Sequence, residues 1–282
     1  MRKPQDNLVT RAWRSHVISL VVMAAYCLCI VIPFVLIVYN SFRTKADFLT
    51  NTLGVPRSLT VANYVNVFRQ YHFHVYLFNS VYVSVLTLAL LMFLSVTASY
   101  AIGRYEFKFR KAILFYFLLG LMFPIQLSII PVFILIKTVG LFGTRLAAIV
   151  VIASGISMPV LLLTGFFRSL PNSFYESAKI DGASEWRIFY AIMVPLASSV
   201  IFSTCIIMSV VIWNQFFIPL VFLQSDTVKT VPLKLLSFTA FIFNRSDVAF
   251  AGSVIATVPL LVTFFVFSRR IIDSIVSGGI KG

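Results

Sequence analysis

Six stretches of this 282-residue chain carry no Asp, Glu, Lys or Arg, and each is long enough to cross a bilayer. They are 17–39, 75–103, 112–136, 146–167, a window within 188–225, and 248–268. A helix needs about 20 apolar residues to cross about 30 Å of hydrocarbon. Backbone N–H and C=O groups cannot go unpaired in lipid, so such stretches must be helices rather than open strands. The sequence therefore predicts an all-α membrane protein with six transmembrane helices. Composition agrees: 60% of residues are hydrophobic and 11% charged, where soluble domains carry about a quarter charged.

Six crossings put both termini on one side. On that side, segments 1–16, 104–111, 168–187 and 269–282 hold 14 Lys and Arg; on the other, 40–74, 137–145 and 224–247 hold 9. The positive-inside rule then places both termini in the cytoplasm. The same flanking positions account for the net charge of +14. No basic run interleaved with aromatics forms a separate patch, so nucleic acid is excluded as a partner. The 17–39 span is too long for a signal-peptide core and reads as the first helix of the mature protein.

Cys27, Cys29 and Cys205 all fall inside spans and read as small packing residues, not as a disulfide or zinc set. His72 and His74 lack nearby further ligands and read as interfacial anchors. The outer segment 40–74 is read as an amphipathic or re-entrant piece at most, with a short helix over 59–68 opened by Thr60 and Asn63. Pro124 and Pro131 in the third span and Pro219 at the end of the fifth predict kinks that border protein or a watery cavity. Neutral polar residues recur within the spans: Asn79, Ser84, Thr87, Gln126, Ser128, Ser154, Ser157, Ser203, Thr204, Asn214 and Gln215. Helix–helix hydrogen bonds use such residues, and so does a path for a polar, uncharged solute. Asn79, Gln126, Trp213, Asn214 and Gln215 are the candidates for that path. The spans hold no carboxylate at mid-membrane where an ion-coupled carrier would keep one, so energy for transport has to enter elsewhere.

One polar island stands apart. Between Ser173 and Pro195, Glu176, Lys179, Asp181, Glu185 and Arg187 fall within twelve residues, while 146–167 and 188–225 have no charge at all. Ser173 and Glu176 have capping-box spacing. Asp181-Gly182 suits a left-handed helix end, Ser184 can cap a second helix, and Pro195 suits the first turn of the fifth span. The island is predicted to be a helix–turn–helix on the cytoplasmic face, with small Ser177, Ala178 and Ala183 at the turn.

The string "ESAKIDGASEWRIFYAIMVP" resembles the EAA loop of the permease subunits of binding-protein-dependent ABC importers, E-A-A-x-x-x-G-x(9)-I-x-L-P. Glu176, Ala178, Gly182, Ile192 and Pro195 match; Ser177 and Val194 replace an Ala and a Leu. "NYVNVF", "NSVYVSVLT", "ASYAIGRYEF", "VGLFGT", "WNQFFIPL" and "GGIKG" are similar to the carbohydrate-uptake branch. The resemblance implies a type I ABC importer permease fold, in the bacterial inner membrane, for a sugar or oligosaccharide. It implies a first segment 1–74 with the first helix and an external loop, a transporter core 75–268 containing the loop 173–195, and a cytoplasmic tail 269–282. It makes Glu176, Ser177, Ala178, Asp181, Gly182 and Ala183 the contacts of an ATPase, with Gly278, Gly279 and Lys281 of the tail reaching the same partner. Gln215 stands where that family often has an acidic residue.

The implied partners are a second homologous permease, an ATPase dimer that holds ATP and Mg, and an extracytoplasmic solute-binding protein. The chain has no G-x-x-x-x-G-K-[ST] loop, so no nucleotide cofactor and no catalysis are expected of it. Permeases for amino acids, peptides or phosphate, and secondary carriers, are the alternatives. The outer loops carry nine basic against three acidic residues, Asp47, Asp226 and Asp247. Their field favours an anionic cargo, such as an acidic oligosaccharide, or an acidic binding protein.

Overall fold

The computed structural model describes residues 5–52, 54–239 and 242–279, with side chains described over 16–52, 54–239 and 245–267. In chain order the helices are α1 (Gln5–Ser41), α2 (Lys45–Thr50), α3 (Ala62–Arg69), α4 (Phe73–Arg104), α5 (Arg110–Met122), α6 (Ile129–Thr138), α7 (Arg145–Ala153) and α8 (Ser157–Ser169). They continue with α9 (Asn172–Ile180), α10 (Glu185–Ile188), α11 (Val194–Leu196), α12 (Ser198–Trp213), α13 (Phe217–Phe222), α14 (Val231–Thr239) and α15 (Ile242–Gly279). Among the described residues the only strand-like pairing is an isolated bridge between Arg43 and Leu59.

All six apolar stretches are helical, and three of them are broken. Residues 16–41, 73–104 and 245–267 are each long and apolar enough to cross a membrane unbroken. The other three qualify only as bent pairs: 110–122 with 125–138 at 94°, 145–153 with 157–169 at 44°, and 185–196 with 198–213 at 74°. Counting each pair as one span gives six. Two of the three breaks have a proline as local cause. Phe123 precedes Pro124 and both are extended, because proline clashes with a helical residue before it. At Pro195 the missing N–H is accommodated by a π-helical turn over Phe189–Met193, followed by a turn at Ala197.

The contacts divide the chain into two compact units. The larger takes in residues 72–236 and 256–282. Its core gathers Leu91, Val96 and Tyr100 of α4, Leu163 and Phe167 of α8, Ala178 of α9, and Met208 and Ile212 of α12. Gly103 decides how closely α4 and α8 approach: an added Cβ would lie 2.9 Å from the Phe167 Cβ and 3.1 Å from the Thr164 carbonyl oxygen.

The smaller unit, 1–71 with 237–255, holds more order than an amphipathic piece. Arg43 is completely buried and all its N–H groups are directed at acceptors. Its Nε donates to Asp47 Oδ2 at 2.8 Å, and its terminal nitrogens donate to Asn40 Oδ1 and to the carbonyls of Asp47, Asn51 and Thr52. Asn63 of α3 donates to the carbonyls of Ser41 and Arg43, both at 2.8 Å. The α3 helix is thereby tied to the end of α1. A buried charge is tolerated only when so completely partnered.

Candidate functional site

The polar island folds as two short helices around a tight turn. Helix α9 ends in two backbone bonds, Ala183 N–H to the Ala178 carbonyl and Gly182 N–H to the Lys179 carbonyl, both at 3.0 Å. That pair of bonds is a Schellman motif, and it needs Gly182 at φ 74°, a conformation that a Cβ disfavours. Ser184 then caps α10, its hydroxyl accepting from the Arg187 N–H at 3.3 Å.

The N-terminal end of α9 differs from the capping-box expectation. The N-cap is Pro171, with no side-chain cap bond, and Ser173 already lies inside the helix. Pro171 is extended, at ψ 138°, and the helix starts at the next residue, Asn172. Arg104, last residue of α4, donates to Asn172 Oδ1 at 2.8 Å and to the Asn172 carbonyl at 3.3 Å, holding that end of α9 against α4.

Of the six loop residues singled out in the sequence, Glu176, Ser177, Asp181 and Gly182 are exposed, Ala183 is half-buried and Ala178 is buried. Glu176 makes no hydrogen bond or ion pair with any described residue. Ser177, Ala178, Asp181 and Ala183 line one side of a concavity of about 560 Å³, completed by Ser173, Phe174, Arg187, Ala191 and Ile192. Two large apolar side chains stand out from this otherwise charged segment, Ile180 at 86% and Trp186 at 71% exposure.

A cluster that the sequence did not single out lies beside them. Glu185 Oε1 accepts from the Tyr175 hydroxyl at 2.8 Å and from Lys179 Nζ at 2.6 Å. Its Oε2 accepts from the hydroxyl of Tyr105, the residue that follows α4. The Arg104 guanidinium sits 4.7 Å from the centroid of the Tyr175 ring. The Glu185 carboxylate holds the Lys179 ammonium above its ordinary pKa of 10.5. Burial, with Glu185 as hydrogen-bond acceptor, pushes both phenols up, so Tyr105 and Tyr175 remain donors. Opposite charges at 179 and 185 were visible in the sequence; a tyrosine 80 positions away was not.

The pathway candidates separate. Asn79 is fully buried and used as a fastener: its Nδ2 donates to the carbonyls of Thr227 and Lys229, both at 2.9 Å, and its Oδ1 accepts from Arg145 Nε at 2.8 Å. Gln126 is exposed in a 3₁₀ turn over Ile125–Ser128. Asn214 is exposed and bonded to its own helix, and Gln215 Oε1 accepts from the Phe217 N–H at the start of α13. Trp213 lines a cavity of about 200 Å³, together with Ser84 of α4, Ser209 of α12 and Thr263 of α15. The tail positions Gly278 and Gly279 close α15, and Lys281 lies outside the described residues.

Among the described residues no group of three or more His, Cys, Asp or Glu could hold a metal ion. The His72 and His74 rings meet edge to face with centroids 6.0 Å apart.

Residues 95–277 match the family model described as "Binding-protein-dependent transport system inner membrane component". The chain is 33% identical over 271 residues to the diacetylchitobiose uptake system permease protein NgcG of Streptomyces coelicolor, covering 94% of this chain and 89% of that one. It is 32% identical over 260 residues to the arabinooligosaccharides transport system permease protein AraQ of Halalkalibacterium halodurans, covering 89% and 91%. A solved bacterial ABC transporter involved in the import of the acidic polysaccharide alginate superposes with a TM-score of 0.76 at 20% identity, over 95% of this chain and 98% of that one. The expected type I importer permease fold is the fold observed.

Proposed function

We infer the function from one premise: the chain belongs to the binding-protein-dependent transport system inner membrane components. It is a multi-pass inner-membrane permease of a sugar or oligosaccharide ABC importer. The relatives' names agree on that class and differ on the molecule, diacetylchitobiose in one and arabinooligosaccharides in the other. The chain is a permease subunit, and hydrolysis of ATP falls to partner ATPase subunits, which hold the nucleotide and Mg.

The observation that supports the coupling role is the exposed helix–turn–helix 172–188. An unpartnered carboxylate at Glu176 and the exposed Ile180 and Trp186 form a surface of the kind that docks another protein. Glu176 pairs there with a basic residue of the ATPase, and Gly182 shapes the docking helix. Ser177, Ala178, Asp181 and Ala183 line the adjoining groove, and the tail residues Gly278, Gly279 and Lys281 provide a second contact. A second homologous permease completes the translocation path, and an extracytoplasmic binding protein delivers the sugar. Closure of the ATPase dimer shifts the pair between inward-open and outward-open states. In the assembled transporter, Glu176→Ala should insert and pair with the sister permease while losing sugar uptake. Full uptake by that variant would remove the residue from coupling.

On the transport path, the cavity beside Trp213 is the place where this chain meets the sugar. An indole face with the hydroxyls of Ser84, Ser209 and Thr263 offers what a sugar ring requires, stacking and neutral hydrogen bonding, without charge. The cargo itself is an acidic oligosaccharide. Of the three outer acids, Asp47 and Asp226 are already paired with Arg43 and Lys229, and the outer loops stay strongly basic. The test is ATPase stimulation by binding protein loaded with a uronate oligomer against binding protein loaded with maltodextrin. Equal or greater stimulation by maltodextrin would end the acidic reading and leave the importer reading intact.

A further inference from the structure

The Glu185 cluster joins two things that the coupling role keeps separate, the docking helix and a membrane-spanning rod. Helix α4 is unbroken over 32 residues, about 48 Å at 1.5 Å per residue. At its C-terminal end, Arg104 grips the first residue of α9 through Asn172, and Tyr105 reaches Glu185 in α10. Glu185 in turn holds Tyr175 and Lys179, both on α9, from across the Gly182 turn. Helices α9 and α10 are thereby clamped to each other and to the end of α4 by side chains rather than by chain connectivity. Near the opposite end of α4, Asn79 binds the carbonyls of Thr227 and Lys229, and the Ser80 hydroxyl accepts from the Val231 N–H at 2.8 Å. The same helix thus holds the docking element at one end and the 227–231 loop at the other.

We propose that Glu185 is a positioning residue whose clasp with Tyr105, Tyr175 and Lys179 fastens the docking helix to α4, so that α4 carries the docking movement to the 227–231 loop. The proposal rests on the coupling role assigned to residues 172–188. The carboxylate sits on α10 and bonds both to α9 and to the residue that follows α4, so removing its charge loosens the join to the rod, leaving the Arg104–Asn172 bonds, without removing the docking surface. Glu176, Ile180 and Trp186 remain in place. The Lys179–Glu185 pair is 43% and 44% exposed, and by itself adds little to stability; its value lies in geometry. Loss of the clasp therefore shows as slippage, with ATP hydrolysed and sugar left behind, more than as loss of the complex.

The experiment uses the assembled transporter in liposomes, reading sugar moved per ATP hydrolysed alongside the amount of complex recovered. Glu185→Gln should leave recovery unchanged and lower the sugar-to-ATP ratio by about 5-fold or more, the lower end of typical coupling between sites. The exchanged pair Lys179→Glu with Glu185→Lys should recover part of that ratio, because it restores the ion pair across the turn. Should Glu185→Gln fail to assemble, Tyr105→Phe removes a single hydroxyl and carries the same expectation. An unchanged ratio in an intact Glu185→Gln or Tyr105→Phe complex overturns the proposal. If uptake collapses in Glu176→Ala while Glu185→Gln keeps its ratio, only the clasp is wrong. If Glu176→Ala transports normally while Glu185→Gln slips, Glu176 leaves the coupling role and the clasp stands.

Discussion

Asn79 shows how a residue's chemistry and its place can part company. A neutral amide inside an apolar span reads equally well as a solute ligand or as a fastener, and the side chain has the same donors and acceptors in either role. Burial decides: with two carbonyls and Arg145 Nε as partners, it serves the protein. Asn79→Ala removes three hydrogen bonds at a buried position; Arg145 still reaches the Thr227 carbonyl at 3.2 Å and water can reach the exposed Thr227, so the cost is about 1 kcal/mol. It should lower the thermal unfolding midpoint of the detergent-solubilised protein. Trp213 is also buried, at 8% exposure, and Trp213→Ala would cost about 3–5 kcal/mol. Trp213→Phe, which keeps an aromatic ring, should instead leave the protein folded and weaken sugar transport, with uptake by the reconstituted transporter as the readout. Asp47 gives a pH signature. The Arg43 guanidinium holds its carboxyl below the ordinary value of 3.8, so its contribution is complete above that pH. It is lost as pH falls through the lower folded value. The acid side of the stability profile should therefore flatten in Asp47→Asn; an identical acid loss in both proteins would assign the sensitivity elsewhere.

At the scale of elements, the helices are predictable from hydropathy and their ends are less so. The Gly182 turn and the Ser184 cap are legible because both rest on bonds within five residues of the chain. The start of α9 departs from the capping box that its sequence suggests, because the helix begins directly after the extended Pro171 and takes Ser173 inside it; Arg104, 68 residues away, bonds that end. The 40–74 segment is more ordered than its composition implies because its buried side chains find partners along it: Arg43 is satisfied by four of its residues, and Asn63 holds the Ser41 and Arg43 carbonyls. The contact of α4 with α8 supplies a prediction at this scale. Gly103→Ala places a methyl 2.9 Å from the Phe167 Cβ. Overpacking of that kind costs about 1–3 kcal/mol, and a drop in unfolding midpoint with a normal amount of inserted protein would register it. Gly182→Ala meets open space but keeps φ 74°, so its penalty is backbone strain alone, about 1–2 kcal/mol.

At the scale of the whole molecule, hydropathy by itself settles the number of apolar segments, because lipid enforces helices of a fixed minimum length. Membership of the importer family is likewise legible without the fold, in a match that runs over residues 95–277. Neither reveals that three of the spans bend by 94°, 44° and 74°; Pro124 and Pro195 stand at the first and third of these breaks, and no proline stands at the second, over residues 154–156. Nor could the sequence show that one acid, Glu185, would be reached by Tyr105 from the end of another helix. Periodicity, charge runs and turn residues act over a few positions and are written in the chain. Burial, long-range hydrogen bonds and the fate of a polar side chain depend on which distant segments the fold brings together, and those only the tertiary structure decided.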